Sequence, residues 1–324
     1  MQIKKTLNKI KDFILGQPPV ILILAIMIIF FAITAINFFK ASNALNLARQ
    51  GALLVILCMG VVVVKITGGI DLATGGILTF SGMLMARLLV SYNVNVYVAG
   101  LVAVLTAVFF GFLNGFFITV MNIPSFIATL GTQGITIGLS LVMNEGGVIG
   151  GMPDSIYEIG NGSTFGIPNP TIIVVFAFIL TYILLNYTKF GVYEYAVGGN
   201  REALKLSGKS VKLYETLAYA YSGLMSGVAS IIVLSRNSAA QPTIGLGMEF
   251  EAFAAVVLGG SYMAGRGTAT GAFLGALVII ILRNGLNILG IPTYIQLAVF
   301  GIVLLSAIVG STIIERNVQK LTEE

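Results

Sequence analysis

Histidine is absent from this chain of 324 residues, and cysteine occurs once. The first absence removes the commonest general base and the commonest metal ligand, so acid–base and metal chemistry have little to work with. Cys58 lies inside an apolar stretch, which leaves neither a disulfide framework nor a dithiol redox motif. Charge is scarce too, at 10% of residues against 57% hydrophobic, and no carboxylates cluster within the apolar runs. There is no G-x-x-x-x-G-K-S/T phosphate loop, so a nucleotide used by this protein has to be bound by another chain.

What the chain does have is apolar runs of about 20 residues, the length a helix needs to cross the hydrocarbon core. A soluble core would show polar faces on its helices, and barrel strands would alternate apolar with polar; these runs do neither. The fold class expected is all-α integral membrane. Runs at 18–39, 51–66, 77–90, 94–121, 126–143, 171–187, 213–234, 253–258, 272–289 and 294–314 give about ten transmembrane helices, or nine if the glycine-rich breaks hide re-entrant halves.

The net charge of +5 sits just outside the apolar runs, which points to orientation rather than to nucleic acid. Segment 144–170 carries Glu145, Asp154 and Glu158 but no Lys or Arg, whereas 188–212 carries Lys189, Arg201, Lys205, Lys209 and Lys212. The positive-inside rule makes the first external and the second cytoplasmic. The basic tail before the first run (Lys4, Lys5, Lys9 and Lys11) resembles a signal peptide, but the run is too long for one and lacks a small-residue cleavage site. The whole chain, 1–324, is therefore expected to be a single transmembrane domain with cytoplasmic tails at 1–17 and 315–324.

The polar island at 195–211, YAVGGNREALKLSGKSV, organises the rest. Gly198 and Gly199 are expected to turn the backbone, Asn200 to cap a helix, Glu202 to suit its positive end, and Gly208 to stop it. About two turns of helix, with Ala203 and Leu206 on one face, are too short to stand alone in water, so this helix must dock on something. An ordinary charged loop would account for the basic residues but not for the two caps.

Two glycine-rich breaks interrupt the spans, TGGIDLATGG at 67–76 and GGSYMAGRGTATG at 259–271. In the first, Asp71 is either an N-cap for a helix beginning near Leu72 or part of a permeation path, since a carboxylate between apolar runs is costly. Asn114-Gly115 before Ile123-Pro124 is echoed by Asn284-Gly285 before Ile291-Pro292. An inverted repeat would produce that echo, and so would chance similarity between apolar helices. The patch holding Asn237, Ser238, Gln241, Thr243 and Glu249 is rich in hydrogen-bonding groups, and Arg236 and Arg283 nearby would suit acids on a soluble partner. Phe126, Tyr262 and Tyr294 lie beside breaks, where aromatics either line a path or pack between helices.

Residues 202–208 resemble the Glu-Ala-Ala, three residues, Gly motif of the membrane subunits of binding-protein-dependent ABC importers, with Leu204 in place of the second Ala. More specifically, AVGGNREALKLSG (196–208), GGIDLATGG (68–76), IPSFIATL (123–130), SAAQPTIGLG (238–247), AAVVLGG (254–260) and NGLNILG (284–290) together resemble the ribose-type sugar permeases of that class. YMAGRG at 262–267 departs from the Gly-Gly-Arg-Gly type of turn found in relatives.

The resemblance implies a non-catalytic pore subunit for a small sugar in a bacterial cytoplasmic membrane, multi-pass, with both termini inside. Its implied partners are two ATP-binding subunits, an extracytoplasmic solute-binding protein, a second permease subunit and membrane lipid, with no nucleic acid. No cofactor belongs to this chain; ATP and Mg are used by the partner subunit. The implied coupling residues are Gly198, Gly199, Asn200, Arg201, Glu202, Ala203, Leu206, Ser207 and Gly208. Pathway or gating candidates are Gly68, Gly69, Asp71, Ser125, Phe126, Gln241, Glu249, Gly259, Gly260, Asn284 and Tyr294, with no catalytic or metal residues. A permease for nucleosides or branched-chain amino acids is the alternative within the class. An ion-coupled carrier would need more intramembrane ionisable groups than Asp71 provides, and a membrane enzyme would need an acid–base pair or a metal site.

Overall fold

The computed structural model describes residues 19–296, 298–303, 305, 306 and 309. The expected tails at 1–17 and 315–324, and the end of the last expected span, lie outside the described residues. The chain opens with a short apolar helix α1 (Pro19–Thr34), followed by α2 (Ala41–Ile66), α3 (Thr74–Ser91), α4 (Val96–Thr119) and α5 (Ser125–Met143). A short helix α6 (Asp154–Asn161) and a two-residue hairpin, β1 (Ser163–Thr164) against β2 (Ile167–Pro168), lead into α7 (Asn169–Tyr187). Next come α8 (Lys189–Gly199), α9 (Arg201–Leu206), α10 (Val211–Asn237), α11 (Met248–Leu258) and α12 (Ala269–Ile288). A further apolar helix spans Thr293–Val303.

Among the described residues, seven helices are long and apolar enough to cross a membrane: α2, α3, α4, α5, α7, α10 and α12. The protein is an all-α membrane protein with these spans and shorter apolar helices beside them. α2 and α10 form its centre. From Gly51 to Ile66 every residue of α2 is buried except the half-buried Lys65, while α4, α5 and α7 leave most of their surface outward. At 27 residues α10 is about 40 Å long, more than the hydrocarbon core requires, whereas the 11 residues of α11 reach only about 16 Å.

Small residues set the central packing. α10 lies along α4 with Gly111 against the Tyr219 carbonyl and Gly223 against that of Ala107, so close that a Cβ at either glycine would overlap backbone. In lipid, where apolar contact alone does not favour protein over solvent, such close approach supplies the dispersion that holds helices together. α5 is polar inward and apolar outward. Thr129, Thr132, Gln133, Thr136 and Ser140 are buried, and Ile127, Leu130, Ile135 and Val142 are exposed.

Several expectations about local structure need correction. α2 begins at Ala41 rather than near 51, because its polar first turns find partners: Asn43 and Asn284 exchange side-chain hydrogen bonds of 3.0 and 2.8 Å. The 144–170 segment contains α6, anchored by the fully buried Ile156. The run at 253–258 belongs to a helix that starts at Met248.

Candidate functional site

α9 is a short helix fixed at both ends. The Asn200 side chain accepts from the Ala203 N–H at 2.9 Å, Glu202 lies in the first turn, and Gly208 takes φ +75°, a conformation that a Cβ would strain. Leu204 is buried beneath it, while Leu206 is 86% exposed and points away from the fold. Ala203 and Ser207 are exposed as well, so the outward face of α9 has no covering among the described residues. Arg201 forms an ion pair with Glu215 at the start of α10. Lys209 lies 5.6 Å over the Tyr193 ring, which packs on Tyr214.

Gly198 and Gly199 do not form a turn. They are the last two residues of α8, and Asn200 is at once its C-cap and the N-cap of α9. The reason for glycine is close approach: a Cβ at Gly198 would overlap the Ile66 carbonyl oxygen and the Gly265 N–H. Just before this junction, Glu194 is fully buried, and neither carboxylate oxygen has a hydrogen-bond partner among the described residues. Burial, reinforced by repulsion from Glu215, pushes its carboxyl up to about 9, so at neutral pH it is held as the neutral acid.

The first break, between α2 and α3, is non-helical backbone inside the bundle, and side chains satisfy it. The Ile70 N–H donates to Ser125 Oγ at 3.3 Å, and the Ile70 carbonyl accepts from the Tyr219 hydroxyl at 3.4 Å, while the neighbouring Thr129 hydroxyl donates to the Ser125 carbonyl at 2.8 Å. Non-helical backbone at membrane depth persists only where such partners exist. Asp71 is buried, but it is not the N-cap of α3. The helix begins at Thr74 behind Ala73, and Asp71 Oδ1 closes a local turn by accepting from the Ala73 N–H at 2.9 Å. Its Oδ2 lies against the Ser222 hydroxyl, and neither atom has another partner among the described residues.

Glu249, on α11, is also buried. Its Oε1 accepts from Gln133 Nε2 at 2.6 Å and from the Gly247 N–H at 3.1 Å, and its Oε2 rests against Gly75 in the first turn of α3. Thr79 accepts from the Gly245 N–H at 3.0 Å. The 238–247 segment therefore runs down into the fold beside α3 instead of forming an exposed loop. Gln241 is exposed on it.

An open cavity of about 920 Å³ brings together Gly68, Gly69, Ser125, Gly198, Gly199, Arg201 and Glu202. Gly259 and Gly260 lie at the C-terminal end of α11, where Gly259 packs directly on Gly271 of α12. The other candidates are not gathered there. Asn284 pairs with Asn43 and lines a separate cavity of about 220 Å³ with Arg236 and Asn237. Phe126 and Tyr294 are on the outer surface, 49% and 71% exposed. Arg283 pairs with Glu251 and stacks 5.1 Å over Phe300, with its side chain still 42% exposed.

Sequence reasoning missed Gln133, Tyr195, Leu204, Tyr219 and Ser222. The α5 stripe was available to it: Thr129, Thr132, Gln133, Thr136 and Ser140 recur at helical spacing in an otherwise apolar run.

Residues 43–308 match the family described as branched-chain amino acid transport system / permease component. The ribose import permease protein RbsC of Bacillus subtilis is 40% identical over 288 residues, covering 88% of this chain and 89% of that protein. The ribose import permease protein RbsC of Escherichia coli K12 is 34% identical over 303 residues, 92% of this chain and 94% of its own. The D-allose transport system permease protein AlsC of the same strain is 32% identical over 289 residues, 88% of each. No solved structure matches the chain. A helical membrane bundle without a nucleotide loop, matched along most of its length by permeases, belongs to the branched-chain amino acid transport system / permease component family, as a non-catalytic membrane subunit.

Proposed function

We propose that this chain forms the translocation pathway of an ATP-driven importer for a small sugar, and that α9 is the helix on which an ATP-binding subunit pushes. The observation that carries this reading is α9 itself: two capped turns seated by Leu204 and presenting Leu206 outward, uncovered among the described residues. A sugar is favoured over an amino acid because the relatives similar along nearly their whole length are named for ribose and D-allose.

In this reading about ten spans, counting α1, α11 and the Thr293–Val303 helix with the seven longer ones, place both termini and α9 on the cytoplasmic side of a bacterial cytoplasmic membrane. The α6 and hairpin segment then faces outward, toward an extracytoplasmic solute-binding protein. The short turns after α4 and α12 support an inverted repeat of five spans each. Two ATP-binding subunits, which hold ATP and Mg, and a second permease copy complete the assembly. Closure of the ATP-binding subunits shifts α9 and rocks the spans between outward and inward openings. The pathway residues are drawn from the first break, the 238–247 segment and α5.

Co-purification with candidate ATP-binding subunits tests this. Glu202→Lys and Gly208→Pro are expected to insert in the membrane normally and to lose both association and uptake; persistence of both in either variant would refute the docking role.

A further inference from the structure

The helix before α9 meets both glycine-rich breaks, chiefly through backbone. Gly265 in the second break donates its N–H to the carbonyl of Ile66, the last residue of α2, at 2.7 Å. Gly198, at the end of α8, sits on both atoms of that bond so closely that any Cβ would overlap them. Gly265 has φ +72°, and a Cβ there would lie 2.9 Å from the Gly199 nitrogen and 3.0 Å from its Cα. One turn back along α8, the Tyr195 hydroxyl donates to the Gly267 carbonyl at 2.8 Å.

We propose that the contact of Gly198–Gly199 with Gly265 and Ile66, locked by Tyr195, is the joint through which displacement of α9 reaches both glycine-rich breaks together. This rests on the reading of α9 as the coupling helix. α8 and α9 share Asn200, whose N–H stays bonded to the Ala196 carbonyl at 2.9 Å, so they are joined with no linker to absorb motion. A side-chain contact yields by changing rotamer, whereas three stretches of backbone in direct contact have no rotamers to change and can only move together. Ile66 leads into the first break and α3; Gly265 lies between α11 and α12. A single push thus enters two pairs of spans at once. The rival route runs along the chain into α10, reinforced by the Arg201 to Glu215 ion pair.

The test uses the assembled complex with its ATP-binding subunits. A cysteine at Ala264, exposed beside the joint, reports movement by its rate of maleimide labelling, and the native Cys58 is fully buried and silent. In the Ala264→Cys parent, ATP with vanadate is expected to change that rate by about threefold or more, within the range that coupling contacts command. Gly198→Ala and Tyr195→Phe are each expected to abolish the change, Tyr195→Phe while still co-purifying with the ATP-binding subunits, and Glu215→Gln, which breaks the ion pair of the rival route, to retain it. If Gly198→Ala does not accumulate, Tyr195→Phe, which removes one oxygen atom, decides alone. The joint is overturned if the parent rate ignores nucleotide, or if Tyr195→Phe responds as the parent does. The α9 reading fails separately, if Leu206→Asp still recruits the ATP-binding subunits.

Discussion

Two leucines two residues apart divide the work of α9. Leu204 is 5% exposed and seats the helix, whereas Leu206 is 86% exposed and points away from the described residues. Leu204→Ala is expected to destabilise the protein by about 2–5 kcal/mol, as buried leucine truncations do, and to lower the thermal midpoint in detergent. Leu206→Ala is expected to leave that midpoint unchanged and to weaken binding of the ATP-binding subunit; equal midpoints for the two variants would contradict this division.

Glu194 sets a second expectation at the same scale. Its folded pKa of about 9 lies above its ordinary 4.5, so the folded state holds a proton that the unfolded state releases. The stability is fully present below about 4.5 and is lost as pH rises toward and through 9. Between pH 6 and pH 9 the wild-type midpoint should therefore fall relative to that of Glu194→Gln, which has no carboxylate to ionise. A slope on the order of 1 kcal/mol per pH unit is expected. Parallel midpoints across that range would mean that Glu194 finds a partner.

Among the elements, the pair of α4 and α10 depends on having nothing between its backbones. Gly223→Val would drive a branched side chain into the Ala107 carbonyl, where main chain cannot yield. Loss of folded protein in membranes is expected, measured by the yield of monodisperse protein in detergent. Gly134 on α5 has open space around it, so Gly134→Ala should preserve that yield. The same logic explains the short helices. α11 stops at Gly259 because α12 crosses there with Gly271 and Gly275 against its last turn, and α8 stops where the two breaks meet it. The Glu249 to Gln133 hydrogen bond ties the descending 238–247 segment to α5, so that segment and α5 are held together on one side of α3.

For the molecule as a whole, sidedness and energy source are the decisive properties. Phe165, at the hairpin tip and 99% exposed, and Leu206 on α9 belong to opposite faces in the proposed topology. In intact cells a membrane-impermeant maleimide should label Phe165→Cys directly and Leu206→Cys only after permeabilisation; the reverse order would invert the topology and remove α9 from reach of ATP. Uptake should also survive collapse of the proton gradient while ATP is maintained. Dependence on the gradient would instead turn attention to Asp71 and Glu249, the buried carboxylates beside α3.

Local chemistry was legible from the chain. Run length declared the membrane spans, and the Asn200 cap and Gly208 stop of α9 stood in the sequence because a cap and a positive φ are decided within a few residues. What could not be read was lateral. A helix apolar all round carries little sign of which face meets lipid and which meets protein, since hydrocarbon and leucine are alike to it. Hence Gly198 passed for a turn residue when it is a contact with Ile66 and Gly265, Asp71 stayed open between a helix cap and the permeation path, and nothing in the chain paired Glu249 with Gln133, 116 residues away, which holds it inside. The sequence by itself determined that this is a helical membrane protein and where glycine interrupts its apolar runs; only the tertiary structure decided that the breaks and the helix before α9 meet, because glycine's lack of a side chain states that something comes close without stating what.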